Sequence, residues 1–198
     1  MKQHTENAYQ RKKQPERVRA QLLEASAHMI LAQGVAGLTL DAVAQMAGVS
    51  KGGLLHHFAS KQALLDALYN ELLEQMDAQI SNAMKKDPLP FGSFSRAYIT
   101  VNTTGSSQKK QARLIEVMML ESLSQEKMRQ RWDTWLEQRL QKSGPEERSA
   151  RLMLARYAAD GLWLNDLMHT AQSGARQRKS IIRQLLAMTL PAQETEHT

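Results

Sequence analysis

Apolar residues recur along this chain at intervals of three and four, the spacing of one face of an α-helix. Val18, Leu22, Ala25, Met29 and Ile30 form such a stripe, predicting a helix from Pro15, a good first-turn residue, to about Gln33, where Gly34 ends it. Leu65, Leu68, Leu72, Met76 and Ile80 line a second, longer helix that runs to about Met84 and is broken by Asp87-Pro88-Leu89-Pro90. Further helices are predicted over 91–103, 109–122, 124–142, 145–171 and 175–189, parted by Gly105-Ser106-Ser107, Ser143-Gly144 and Ser173-Gly174. No sustained alternation flanked by hairpin turns appears, so the expected fold class is all-α. There is no convincing internal repeat.

Residues 39–61 break this rhythm with two short helices about a glycine turn, a helix-turn-helix with its motif at about 39–58. Thr39 is placed to cap the first helix and Asp41 suits its positive end, while Ala42, Val43, Met46 and Ala47 form a face with small residues that admits a second helix closely. Gly48 supplies a left-handed turn and Ser50 caps the next helix. Gly52 and Gly53 each cost about 1 kcal/mol in a helix relative to Ala. Close approach of the backbone to a phosphate explains that cost; close packing on a neighbouring helix is the alternative. With Lys51, His56 and His57 alongside, double-stranded DNA is the expected partner.

Gly34, the run Thr39 to Lys61 and the leucine-rich helix after it resemble the N-terminal domain of TetR-type transcriptional regulators. That family ends its second helix in a Tyr-Tyr-His-Phe-like run followed by Ser-Lys; His57, Phe58, Ser60 and Lys61 stand in the matching places. Gly53, Leu55 and His56 depart from the usual Thr, Tyr and Tyr, and Leu55 cannot donate a hydrogen bond. The motif match covers about residues 15–75. The resemblance implies an N-terminal three-helix DNA-binding domain and a C-terminal helical bundle for ligand binding and dimerisation. Its DNA contacts would involve Thr39, Ser50, Lys51, Gly52, Gly53, Leu54, His56, His57 and Lys61. The expected organisation is a basic arm over 1–14, a DNA-binding domain over 15–61, a connecting helix over 62–84, a ligand-binding and dimerisation domain over 85–190 and a tail over 191–198.

Charge supports a nucleic-acid partner at the N-terminal end. Residues 1–61 hold eight Lys or Arg against four acids, whereas residues 62–198 hold eighteen against sixteen, so most of the net charge of +6 sits in the first third. Arg11, Lys12 and Lys13 lie in a flexible arm without apolar periodicity, expected to be disordered when free, which either follows the DNA or is a solvated tail. The absence of cysteine excludes disulfides, thiolate chemistry and Cys-based zinc sites. The polar N-terminus and the lack of a run of about 20 apolar residues predict a cytoplasmic protein without a membrane partner.

The helix from 145 is apolar over a wide arc and must cover two surfaces. Leu152, Ala159 and Leu162, with Ile181, Ile182, Leu185 and Leu186 of the last helix, are expected to form a homodimer interface; a monomer with a thick core is the alternative. Two recognition helices about 35 Å apart would read a palindrome. The resemblance also implies a small-molecule inducer among the C-terminal helices. Phe94, Tyr98, Met118, Met119, Trp132, Trp135, Tyr157 and Trp163 are candidate lining residues, though ordinary packing explains each of them too. An acid among Glu116, Glu121, Asp160 and Asp166 that turned inward would favour a cationic ligand.

No phosphate-binding glycine loop, Gly-x-Ser-x-Gly elbow or His-Glu-x-x-His pair appears, and adjacent His56 and His57 point about 100° apart on a helix. Catalytic residues, metal ligands and cofactors are therefore not expected. The predicted function is a dimeric, ligand-responsive repressor released by an inducer. The alternative is a helical protein-interaction bundle with degenerate DNA binding.

Overall fold

A computed structural model of the chain describes residues 2–104, 109–168 and 174–191. Every regular element among them is helical: α1 (Lys2–Gln33), α2 (Leu40–Met46), α3 (Lys51–His57), α4 (Lys61–Lys86), α5 (Ser93–Thr104), α6 (Lys109–Ser124), α7 (Glu126–Lys142), a 3-10 turn at Pro145–Arg148, α8 (Ala150–Met168) and α9 (Ala175–Ala187). The all-α class expected from the missing strand signals is what the structure shows. The chain divides into two compact units, residues 1–73 with 108–128 and residues 74–107 with 129–198.

The first unit is built on α1. Leu22, Met29 and Ile30 of its inward stripe are buried with Leu38, Val43, Leu54, Phe58, Leu64 and Leu68. Gly34 ends the inward part of the helix with φ 73°, its N–H donating to the Ile30 carbonyl at 2.8 Å, a conformation costly for any residue with a Cβ. Toward its N-terminus α1 runs back to Lys2, so Pro15 lies inside it and not at its start. The residues before Pro15 are rich in good helix formers such as Lys, Arg and Gln, so propensity extends a helix that apolar periodicity does not mark.

Residues 108–128, inside the span expected for the C-terminal domain, pack with the first unit. Leu114 and Met118, one turn apart on α6, are buried in the α1–α4 core, and Ile115, Val117 and Met119 pack partly against it. Periodicity marks a helix's apolar face, but not which core will cover it.

In the second unit, Ile99 of α5, Ala155 and Ala159 of α8, and Leu185 of α9 pack together, with Ile181, Leu186 and Met188 at the margin. The helix expected over 145–171 is divided. Pro145–Arg148 forms the 3-10 turn, Ser149 is extended and α8 begins at Ala150, with the Ser149 Oγ accepting from the Leu152 N–H at 3.4 Å. The division has a physical cause at Glu147, whose side chain turns inward and accepts from the backbone N–H groups of Phe94 and Ser95 at 3.0 and 3.2 Å. It thereby satisfies donors that α5 leaves open at its N-terminus. Arg96 ties the ends of this unit together, donating to the Asp87 carboxylate at 2.7 Å and to the Leu89 and Thr189 carbonyls at 2.6 and 2.8 Å. Among the described residues no helix is long and apolar enough to cross a membrane.

Candidate nucleic-acid interface

Local chemistry shapes the helix-turn-helix. The Thr39 Oγ1 accepts from the Ala42 N–H at 3.3 Å and the Ser50 Oγ accepts from the Gly53 N–H at 3.1 Å, so both hydroxyls cap the helices that follow them. Each hydroxyl keeps its own proton for an outside acceptor. Gly48 turns the chain at φ 66° between them. Leu54 and Phe58 face inward and fasten α3 to the core, and the Arg19 guanidinium lies 5.6 Å over the Phe58 ring.

The expected DNA-facing residues separate into three groups. Thr39, Ser50, Lys51, Gly52 and His56 are exposed, and Gly53, His57 and Lys61 are half-buried at the edge. Leu54 is fully buried (0% exposed) and does not face DNA, because its side chain is what holds α3 in place. Leu55, next to it, takes its position on the outer surface at 41% exposed. Two adjacent leucines in so short a helix offer no periodicity to tell the inner from the outer.

The two glycines have different reasons. A Cβ on Gly53 would meet the Val49 Cγ1 at 2.8 Å and the Ser50 Oγ at 3.2 Å, so a side chain there would require these neighbours to shift. A Cβ on Gly52 would meet nothing within 4 Å. The Lys51 Nζ lies 2.9 Å from the Asp41 carboxylate in an exposed pair, which costs little to open. The Lys61 Nζ donates to the Ala36 carbonyl at 3.4 Å, at the junction of α1 and α2. His56 and His57 stand edge to face with ring centroids 5.6 Å apart. Together these residues present a cationic and hydroxylic surface around an exposed short helix, the chemistry suited to phosphates on either side of a groove.

The candidate ligand residues do not form one group. Phe94, Tyr98, Trp132 and Trp135 share a continuous aromatic cluster in the second unit, with successive centroids 5.1 to 6.5 Å apart. Met118 and Met119 sit in the first unit. Tyr157 faces outward and Trp163 is half-buried on α8. Among the candidate acids, Asp160 turns toward the aromatic cluster, accepting from the Tyr98 hydroxyl at 2.7 Å and, more distantly, from the Asn102 amide at 3.4 Å. Burial pushes the Asp160 carboxyl above its ordinary range, against those two donors and the Arg156 charge. Burial, reinforced by Asp160, raises the Tyr98 phenol well above its own. Glu116 pairs with Arg113 instead, Glu121 accepts from Gln125 and Asp166 pairs with Arg178.

The residues expected at a dimer interface also fall differently. Leu152, Ala159, Leu162 and Leu185 are buried within their own unit, and Ile181, Ile182 and Leu186 are half-buried. The outer face of α8 carries Leu154, Tyr157, Ala158, Gly161, Leu164 and Met168, all exposed and spaced by helical turns. The residues expected at an interface are thus on the inner side of α8, and its outer side carries a second, exposed apolar stripe.

A family model described as "Bacterial regulatory proteins, tetR family" matches residues 22–68, and one described as "Tetracyclin repressor-like, C-terminal domain" matches residues 92–190. Among curated proteins, the HTH-type transcriptional regulator BetI of Paraburkholderia phytofirmans is 41% identical over 73 residues, covering 35% of this chain and 37% of that protein. TtgR of Pseudomonas putida, another HTH-type transcriptional regulator, is 32% identical over 91 residues, 46% of this chain and 43% of that protein. These alignments span less than half the length of either relative. Solved structures extend the likeness. A TetR-family member from Streptomyces coelicolor superposes with a TM-score of 0.68 at 18% identity, over 88% of this chain and 99% of that one. The multidrug binding protein EbrR, solved with imidazole, gives 0.66 at 20% identity, over 90% and 93%. At such identities the likeness is one of fold. The family models, which between them match the helix-turn-helix and half of the chain beyond it, show that this protein belongs to the TetR family of transcriptional regulators, DNA-binding proteins and not enzymes.

Proposed function

We propose that the protein is a homodimeric repressor that binds a palindromic operator and is released by a small-molecule inducer. The observation that carries the DNA contact is the outer surface of the helix-turn-helix, where Gly52 has open space and Lys51, His56 and the capping hydroxyls surround it. Thr39, Ser50, Lys51 and Lys61 bind phosphates flanking the groove, and α3 lies within it.

Dimerisation is supported by the exposed face of α8, an apolar and small-residue stripe that water would otherwise cover. A dimer brings two helix-turn-helix units to one duplex, and half-sites about 34–36 Å apart follow from one turn of duplex. The inducer is held beside Phe94, Tyr98, Trp132 and Trp135. Among the described residues, Asp160 has only the neutral Tyr98 and Asn102 as hydrogen-bond donors, so a ligand carrying a cation or strong donor suits it. Binding drugs is a property of EbrR by its description. Release requires the inducer to favour the dimer that does not fit the operator; tight binding to both forms shifts nothing.

The test is to incubate the purified protein with sheared genomic DNA at physiological salt and sequence what it retains. A recurring palindrome supports the repressor assignment and names its targets. Uniform or absent retention would move the protein to the alternative class of helical interaction bundles that have lost DNA binding.

A further inference from the structure

We infer that Leu55 is a specificity-determining residue that reads the C5-methyl group of thymine in the major groove. The inference rests on the proposed DNA binding and goes beyond it in naming the base. On α3 the exposed residues are Lys51, Gly52, Leu55 and His56. With 3.6 residues per turn, Gly52 and Leu55 lie about 60° apart in the middle of that face, with Lys51 on one side and His56 on the other. The middle of the recognition surface thus offers one hydrogen atom and one isobutyl group. Neither donates or accepts a hydrogen bond, so the polar edges of guanine, cytosine and adenine have no partner there. Thymine alone presents an apolar group in the major groove, and an apolar side chain is its natural complement.

Leu55 is not spent on the fold. Its neighbour Leu54 supplies the anchor to the core, and Leu55 stands 41% exposed. Nor is its surroundings' openness accidental in effect: a Cβ on Gly52 would project into open space, and its absence lets base edges come within reach of a side chain as short as leucine. The hydrogen-bonding groups sit at the flanks, where Lys51 and His56 can hold phosphates or outer base edges and set the register. A longer polar residue in place of Leu55 would reach the backbone; leucine reaches only what lies directly beneath it.

The experiment begins by selecting preferred sites from a random duplex library with the full chain. Each thymine of the selected half-site is then replaced singly by deoxyuridine, which removes the methyl group and leaves pairing unchanged. The expected result is a loss of about fourfold in affinity at one thymine per half-site, the value of burying one methyl-sized group. The Leu55→Ala variant, checked for folding by its thermal midpoint, loses that sensitivity, so that the two changes are coupled in a double-mutant cycle. Uracil tolerated at every thymine overturns the inference, as does a Leu55→Ala variant that remains as sensitive as the wild type. Failure to enrich any sequence refutes the DNA-binding assignment itself, and the role of Leu55 falls with it.

Discussion

The Glu147 carboxylate lies 3.1 Å from the Arg156 Nη1, with both side chains almost wholly out of solvent. The pair closes a small network. Glu147 caps α5 through the Phe94 and Ser95 N–H groups, while Arg156 also donates to the Ser95 hydroxyl and the Glu147 carbonyl and stacks 5.6 Å over the Phe94 ring. Arg156→Leu leaves a buried carboxylate uncompensated and should destabilise the second unit by about 3–5 kcal/mol. Glu147→Leu should cost at least as much, because it strands the guanidinium and removes the acceptor of two backbone donors. All three tryptophans, Trp132, Trp135 and Trp163, lie in this unit, so denaturant titration followed by tryptophan fluorescence reports on it specifically. Unchanged midpoints for both variants would remove the pair from the fold's supports.

Gly52 and Gly53 are neighbours with opposite expected responses to alanine. Gly52→Ala adds a Cβ to open space on a helix and should stabilise the first unit by up to about 1 kcal/mol. The same Cβ stands on the surface proposed to meet DNA, so operator affinity should fall by tenfold or more. Gly53→Ala forces Val49 and Ser50 to move and should lower stability instead. Thermal melts and operator titrations of the two variants decide between these assignments; a Gly52→Ala protein that binds as well as the wild type would place the DNA elsewhere.

Features with local causes were legible in the sequence. Thr39 and Ser50 as caps, and Gly34 and Gly48 as turns, follow from side chains acting within four residues of themselves. What was not legible depends on distant partners. Nothing near Glu147 in the sequence announces that it will cap a helix fifty-odd residues earlier and divide the helix expected over 145–171. The Leu54–Leu55 pair in α3 and the wide apolar arc of α8 both leave helical phase open, and packing by α5 and α9 settles which side of α8 is inner. That is why Leu152 and Ala159 belong to the core and Leu154 and Tyr157 to the surface.

Lys61 sits in the first turn of α4, where its charge is unfavourable to the helix dipole, and its Nζ donates to the Ala36 carbonyl. A phosphate at this position relieves that penalty. Lys61→Ala should therefore weaken binding to operator and random DNA alike and lower the slope of log affinity against log salt by about 1. An unchanged slope would take Lys61 off the phosphate.

Asp160 gives the second unit a distinctive pH response. Its folded pKa is raised above the ordinary 3.8, chiefly by burial. The protonated acid is the form the fold prefers, so its contribution is fully present below the unfolded pKa and is lost as pH rises through the folded value. Asp160→Asn keeps an acceptor for Tyr98 and removes the ionisation. It should stabilise the unit at pH 7, with the advantage fading as pH falls through the folded pKa toward the ordinary carboxylate range. Tryptophan-monitored unfolding across that range measures it. Equal stability of the two proteins at pH 7 would show that ionised Asp160 costs the fold nothing, and would weaken its assignment to a ligand.

The exposed stripe on α8 separates a dimer interface from a core. Leu185 is buried inside its own unit, so a charge there disrupts folding and says nothing about assembly. Leu154 and Tyr157, each 59% exposed, lie on the outer face, where a charge is harmless to a monomer in water. In a dimer built on that face the same charge would be buried without a partner, at a cost of several kcal/mol counted twice across the two-fold axis. Leu154→Glu should therefore yield a folded monomer: unchanged helical circular dichroism, half the mass by light scattering, and loss of operator binding, because a single helix-turn-helix engages only one half-site. A Leu154→Glu protein that is still dimeric would move the interface off this face of α8.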